Sequence, residues 1–416
     1  MQSLPISKYQ LRFLSIWEQS PTDVVCNLQY AFELNGNLNI PILKKSCGLV
    51  LAKNDIFHAR FDNQTKTCVY CNYDIDALFK IINTTDDYHA TIRKILYSPL
   101  DLSHDPLLQF YLICHSDHEN RYYFIIKSHH IVIDGVCARN VTKFIEQAYN
   151  SFLGYEPLPT AFNTYQEYIR KESLSSKNIN VEKCKLFWQN FLSSTPLFTK
   201  IPTKVPVIRK LHPVEQIFFT LHQPELDRLR IFAKQNSSSI FVIIAALYGT
   251  LLADYAKQQK FAITYPVNMR DESCKTSAGS FINNIFFKFD FVKNPSLNEL
   301  IQNLHSQARE SKQYRELPFF EITEALQREA SDYINIGLVQ GNINIKPLNF
   351  VNISSKPTPT FTKSLAYQMR LVYDQSLENS LRFRLDYAVD ELELSFAKEF
   401  MDKLELSLLK LEIFST

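Results

Sequence analysis

Two histidines stand side by side, His129 and His130, in the stretch "SHHIVIDGV" (128–136), with Asp134 and Gly135 four and five residues after the second. Both residue types are scarce, with ten histidines and eight glycines in 416 residues. An apolar run, "YYFIIK", comes just upstream. Read as a strand, that run sends consecutive side chains to opposite faces. Only one histidine then points easily into a cleft, and the other packs or hydrogen-bonds inside. Gly135 falls at a strand–loop–helix junction, where a missing side chain permits close backbone approach. The helix that starts there offers free N–H groups and a partial positive end for a developing oxyanion. A histidine base with such donors near a carbonyl is a workable acyl-transfer site.

The same residue types also serve other chemistry. His130 and Asp134 could hold a metal, but the sequence offers no obvious third ligand, and adjacent histidines rarely converge on one ion. No metal is therefore expected. A Ser–His–Asp triad needs a nucleophilic serine; Ser128 is too close in sequence, and no GxSxG elbow occurs. Taken alone, the stretch reads most simply as a satisfied histidine in an ordinary strand–loop–helix. "CVYC" (68–71) has no second CxxC and sits in a strand-like setting, whose residues three apart face opposite sides. It reads as structural.

The elements around this stretch alternate in type. Strands are expected at 27–36, 107–116 and 121–130, the last two joined by "DHEN", with short paired strands around 57–63 and 67–73. Helices are expected at 7–20, 40–54, 87–100 and 135–154, the last ending at Gly154. A Pro-containing and then polar segment, about 155–180, reads as a linker. Beyond it, helices are expected at 182–192, 223–235, 239–257, 296–314 and 391–413. Strands are expected at 215–222, 260–268, 283–292, 333–340 and 381–389. Interleaved strands and helices with hairpin-like pairs point to an α/β fold of mixed sheets. The length calls for two domains, taken as 1–165 and 166–416.

Composition narrows the function classes. A net charge of +2 with no basic stripe argues against nucleic acid as the main partner. The N-terminus lacks a signal-peptide pattern. The most apolar stretch (239–256) contains Gly249 and ends near Asp254, short of the ~20 clean apolar residues a membrane span needs, so no membrane partner is expected. Eight scattered cysteines form no framework and read as reduced thiols in the cytoplasm.

"HHIVIDG" resembles the HHxxxDG motif of condensation domains of non-ribosomal peptide synthetases, within the chloramphenicol-acetyltransferase-like acyltransferase superfamily. Other segments resemble family motifs in the same order. "SKYQLRFL" is similar to the opening helix, with Ser7, Gln10 and Arg12 matching. "KNDIFHARF" resembles "RHExLRTRF", with Arg60 and Phe61 matching. "SPLDLSHDPLLQFYL", "YPVNMRD", "AGSFINN" and "RELPFFEITEAL" resemble later motifs. The resemblance spans almost the whole chain, and the order of its motifs outweighs the bland reading of His130.

The resemblance implies two chloramphenicol-acetyltransferase-like lobes in a V-shaped pseudo-dimer, with a central tunnel open at both ends. One mouth takes an acyl donor on the phosphopantetheine arm of an acyl or peptidyl carrier protein. The other takes an amine or, less often, a hydroxyl acceptor. His130 matches the catalytic histidine, as base or as the group that positions the amine. Gly135 gives the backbone room beside the thioester. Asp134 pairs with Arg270 across the lobes in a structural role, and His129 packs in the N-terminal lobe. Ser128 and Asn283 are tunnel candidates, Asn283 lying in the segment that resembles the crossover between lobes. The chain departs from the family pattern at Leu14, His58, Phe286 and Lys288. Heterocyclisation domains carry aspartate for the first histidine, and plant-type acyltransferases carry a DFGWG segment absent here. The expectation is a free-standing, monomeric condensation enzyme of secondary metabolism with no bound cofactor. The alternative is a silent condensation-fold module that only docks carrier proteins.

Overall fold

The computed structural model describes residues 4–411 apart from 86, 116–119, 160–163, 176–179, 342–345, 359, 361 and 375–378. Most of the expected "DHEN" turn, residues 160–163 and 176–179 of the expected linker, and the last residues of the expected final helix lie outside the described residues. The chain forms two compact units. The first comprises Met1–Asn178, Arg270–Phe281 and Ile345–Phe361; the second comprises Ile179–Met269, Ile282–Asn344 and Thr362–Thr416.

The first unit is built on a five-stranded sheet. Its order is Ser354–Thr358, Asn27–Asn35, Arg121–His129, Leu108–His115, Phe79–Thr84. All neighbours are antiparallel except the last pair, which is parallel. Arg121–His129 sits at the centre, so its middle and end are buried on both faces. That explains a continuous apolar run where an edge strand would alternate. The helix Gly135–Phe152 starts where Asp134 accepts the Cys137 N–H at 2.8 Å. It buries Cys137, Ala138, Val141, Phe144, Ile145 and Ala148, a helical spacing that gives one apolar face. It packs against Ile40–Lys53, capped in the same way by Asn39.

The second unit carries a seven-stranded sheet. Its order is Ile282–Asp290, Lys260–Asn268, Ile336–Gly341, Met369–Asp374, Leu381–Ala388, His212–Leu221, Ser364–Leu365. Ile336–Gly341 is parallel to both neighbours and the other pairs are antiparallel. The expected mixed sheets are thus present in both units. The helix Ile240–Ala256 is apolar nearly all round because it is the core helix of this unit. Gly249 lies where it meets the sheet: a Cβ there would fall 2.0 Å from the Phe289 ring. Among the described residues no single helix is long and apolar enough to cross a membrane.

Most expected elements form within a few residues of their anticipated ends. Elements that the sequence does not announce include Phe79–Thr84, Tyr165–Ser175, Phe319–Ala325, Ser354–Thr358 and Met369–Asp374. Tyr165–Ser175 lies inside the stretch expected to link two domains. Its sequence is polar, yet Tyr165 and Ile169 are buried, because tertiary contacts and not periodicity hold it.

Candidate active site

The Arg121–His129 strand ends at the first histidine of the pair, and the chain turns at once. The His130 N–H donates to the Cys26 carbonyl at 2.7 Å, and the Val132 N–H to the His129 carbonyl at 3.0 Å. Ile131, Val132 and Ile133 are fully buried and anchor the turn in the core. His129 is buried, and its Nδ1 accepts the Ile131 N–H at 3.2 Å. Burial, and secondarily its neighbour His130, push its pKa down to about 3. His129 is therefore a neutral interior residue.

His130 keeps part of its surface exposed. Its ring stacks on Phe13 of the opening helix, Gln10–Gln19, with centroids 4.7 Å apart and planes 12° off parallel. Buried Nδ1 has no hydrogen-bond partner among the described residues. Desolvation lowers the His130 pKa to about 4; Asp134 and nearby carbonyls oppose it, and Arg12 adds to it. The imidazole is thus neutral at neutral pH and able to accept a hydrogen bond. The same helix grips the turn: the Gln10 side chain accepts the Ser7 N–H at 2.9 Å and donates to the Ile131 carbonyl at 2.9 Å.

Asp134 is spent on structure. One oxygen caps the helix at Cys137. The other accepts the Phe281 N–H at 2.9 Å and pairs with Arg270. Arg270 also donates to the carbonyls of Gly279 at 3.1 Å and Ser277 at 3.3 Å, and lies over the Phe281 ring. With side-chain exposures of 3% and 1%, arginine and aspartate form a buried, hydrogen-bonded pair. The expected partnership is present, with one correction: residues 270–281 belong to the first unit, so the pair forms within that unit.

Gly135 is the first residue of its helix, and its φ is not positive. Both tunnel candidates are buried and hydrogen-bonded. The Ser128 hydroxyl is buried and donates to the Leu107 carbonyl at 2.7 Å. Asn283 is buried too: its amide donates to the carbonyls of Arg315 and Leu317, each at 2.7 Å, and accepts the Phe319 N–H at 2.9 Å. Both side chains hold backbone, because buried polar groups must find partners. Cys137, beside Asp134, is not a nucleophile: burial pushes its thiol up to about 12, and its sulfur accepts the Gly279 N–H. Sequence reasoning missed Phe13. The signal was there, since Gln10, Phe13 and Leu14 fall on one buried helix face.

A family model described as Condensation domain matches residues 1–411. The chain belongs to the condensation-domain family. Among curated relatives, tyrocidine synthase 2 of Brevibacillus parabrevis is 24% identical over 322 residues, 74% of this chain and 9% of that protein. Tyrocidine synthase 3 of the same organism is 21% identical over 416 residues, 96% of this chain and 6% of its own length. This condensation domain thus spans less than a tenth of each of these relatives. Among solved structures, the X-domain from teicoplanin biosynthesis superposes with a TM-score of 0.84 at 19% identity, over 99% of this chain and 95% of that one. The starter condensation domain of rhizomide synthetase RzmA, in complex with C8-CoA, gives 0.85 at 12% identity, over 98% and 94%. These likenesses establish the condensation-domain fold, a chloramphenicol-acetyltransferase-like α/β architecture.

Two expected results follow from this domain's geometry. Gly279 has φ +140, and a Cβ there would fall 2.3 Å from the Tyr165 ring. Gly279→Ala should lower stability by about 1–3 kcal/mol, read by urea unfolding, through strain and overpacking. Acid should also unfold the domain. Unfolded histidines titrate near 6.5, against about 3 and 4 for His129 and His130 in the fold. Between about pH 6.5 and 4 the unfolded chain binds more protons, so stability rises with pH there and is lost as pH falls. His129→Gln should flatten that dependence in urea titrations at pH 4, 5 and 6.5.

Proposed function

We propose that this condensation domain joins an acyl or aminoacyl group, carried as a thioester on the phosphopantetheine arm of a carrier protein, to an amine or, less readily, a hydroxyl. In the amine case the nitrogen attacks the thioester carbonyl. A C–N bond forms, the C–S bond breaks, and the proton lost by nitrogen ends on the thiolate sulfur. The observation that carries this reading is His130: a partly exposed, neutral imidazole, one turn before a helix that opens on Gly135. Its low proton affinity favours accepting a hydrogen bond from the attacking N–H, which orients the nitrogen, over outright proton removal. Asp134, Arg270 and His129 hold the loop. Unpaired cysteines support a reducing, cytoplasmic setting.

The test is a carrier protein loaded with an acyl thioester, incubated with the purified protein and a simple amine. Amide appearing with release of the free pantetheine thiol supports the reading. A second reading has its own support: a related X-domain fold was solved as a complex with OxyB. On that reading the protein docks partners without turnover. Carrier binding with no amide or ester from any acyl donor would favour it.

A further inference from the structure

We propose that Phe13 is the positioning residue for His130: its ring, stacked face to face on the imidazole, fixes the plane in which Nε2 meets the substrate. As a statement about reaction, this rests on the reading of His130 given above; as a statement about the imidazole, it stands alone.

A functional histidine is usually oriented by a hydrogen bond from its second ring nitrogen to a carbonyl or carboxylate. Here that device is weak: the carbonyls of His130 itself and of Ile133 act on the imidazole, but buried Nδ1 makes no well-formed hydrogen bond among the described residues. The carboxylate that acts on the ring, Asp134, is committed to Cys137, Phe281 and Arg270. Rotation about the bond to an aromatic ring is soft, with broad wells, so a second contact is needed to fix the plane. The parallel stack at 4.7 Å and 12° does so. Phe13 is itself fixed, since it is buried in a helix whose Gln10, one turn earlier on the same face, holds the Ile131 carbonyl. The opening helix therefore grips the histidine turn twice, once by its backbone and once by its ring. Phe13 also covers one face of the imidazole from water, which favours the neutral ring. The charged and titratable groups acting on His130 are Arg12 from the same helix, Asp134 from the head of the next helix and His129 beside it. Phe13 adds no charge, so replacing it acts on His130 through solvent access and ring freedom alone.

Phe13→Leu keeps the apolar character and removes the stack; Phe13→Tyr keeps both. The readout is NMR of histidine-labelled protein over pH, with His130→Ala used to assign the signal. In Phe13→Leu the His130 midpoint should rise by about one pH unit or more towards the ordinary value, and the ring-current shift of its protons should vanish. Phe13→Tyr should retain both wild-type features, and His129 should move in neither variant. In turnover, Phe13→Leu should lower kcat about tenfold, with KM for the loaded carrier unchanged and recovery in Phe13→Tyr. The proposal is overturned if Phe13→Leu leaves the His130 midpoint and ring-current shift at wild-type values. It is equally overturned if His129 moves as far, which would mean general loosening. A wild-type protein that makes no amide defeats the proposed activity, while the titration still decides the role of Phe13.

Discussion

His130→Ala should lower amide formation from an acyl-carrier thioester by about 10²–10⁴-fold while leaving the protein folded. The two halves of that expectation have separate grounds. The fold should survive because the imidazole contributes little to it. Among the described residues no well-formed hydrogen bond ties Nδ1 to the protein, and the backbone bond to Cys26 does not depend on residue type. What is lost is the stack on Phe13, worth about 0.5–1.5 kcal/mol beyond the buried area. Turnover should fall because an amine attacking a thioester needs its lone pair aimed at the carbonyl, and alanine offers no acceptor to aim it. If the interaction forms only as the amine attacks, kcat falls and KM for the carrier stays near its wild-type value. A circular-dichroism melt beside the assay separates inactivity from unfolding. Wild-type rates in a folded His130→Ala variant would show that this residue has no part in the chemistry.

Asp134→Ala should behave in the opposite way, costing about 3–5 kcal/mol of stability whatever it does to turnover. The carboxylate serves three donors: the Cys137 N–H, the Phe281 N–H and the Arg270 guanidinium. Alanine leaves the Arg270 charge buried without its partner carboxylate and removes the acceptor from both backbone donors. Asp134→Asn keeps an acceptor for the cap and loses the charge, so it should fall between. Removing both members, Asp134→Ala with Arg270→Met, should cost clearly less than the two single losses added together. Urea unfolding of the four proteins gives the coupling directly. Additive losses would mean that aspartate and arginine act independently.

Local patterns made much of this molecule legible. The apolar run 122–126, the histidines that follow it and the capping aspartate announce a buried strand, a turn and a helix, and those elements form. The apolar helix 240–256 was readable because its burial is nearly complete on every side. Elements whose stability comes from distant partners were not readable. Ser354–Thr358 contains a proline and no alternation, yet it pairs as an edge strand with Asn27–Asn35. Tyr165–Ser175 looks like a polar connector until the buried Tyr165, whose hydroxyl donates to the Ser280 carbonyl, is seen.

The same division runs through the site. Sequence by itself determined which residues stand together in the histidine turn, because a strand end, a short turn and a helix cap are set by neighbours along the chain. Tertiary structure alone decided what faces them. It places Phe13 on the His130 ring, brings residues 270–281 back to the first unit, and spends Ser128 and Asn283 on backbone carbonyls. Those outcomes depend on close packing and on pairing every buried polar group, and both are satisfied by residues far apart in the chain.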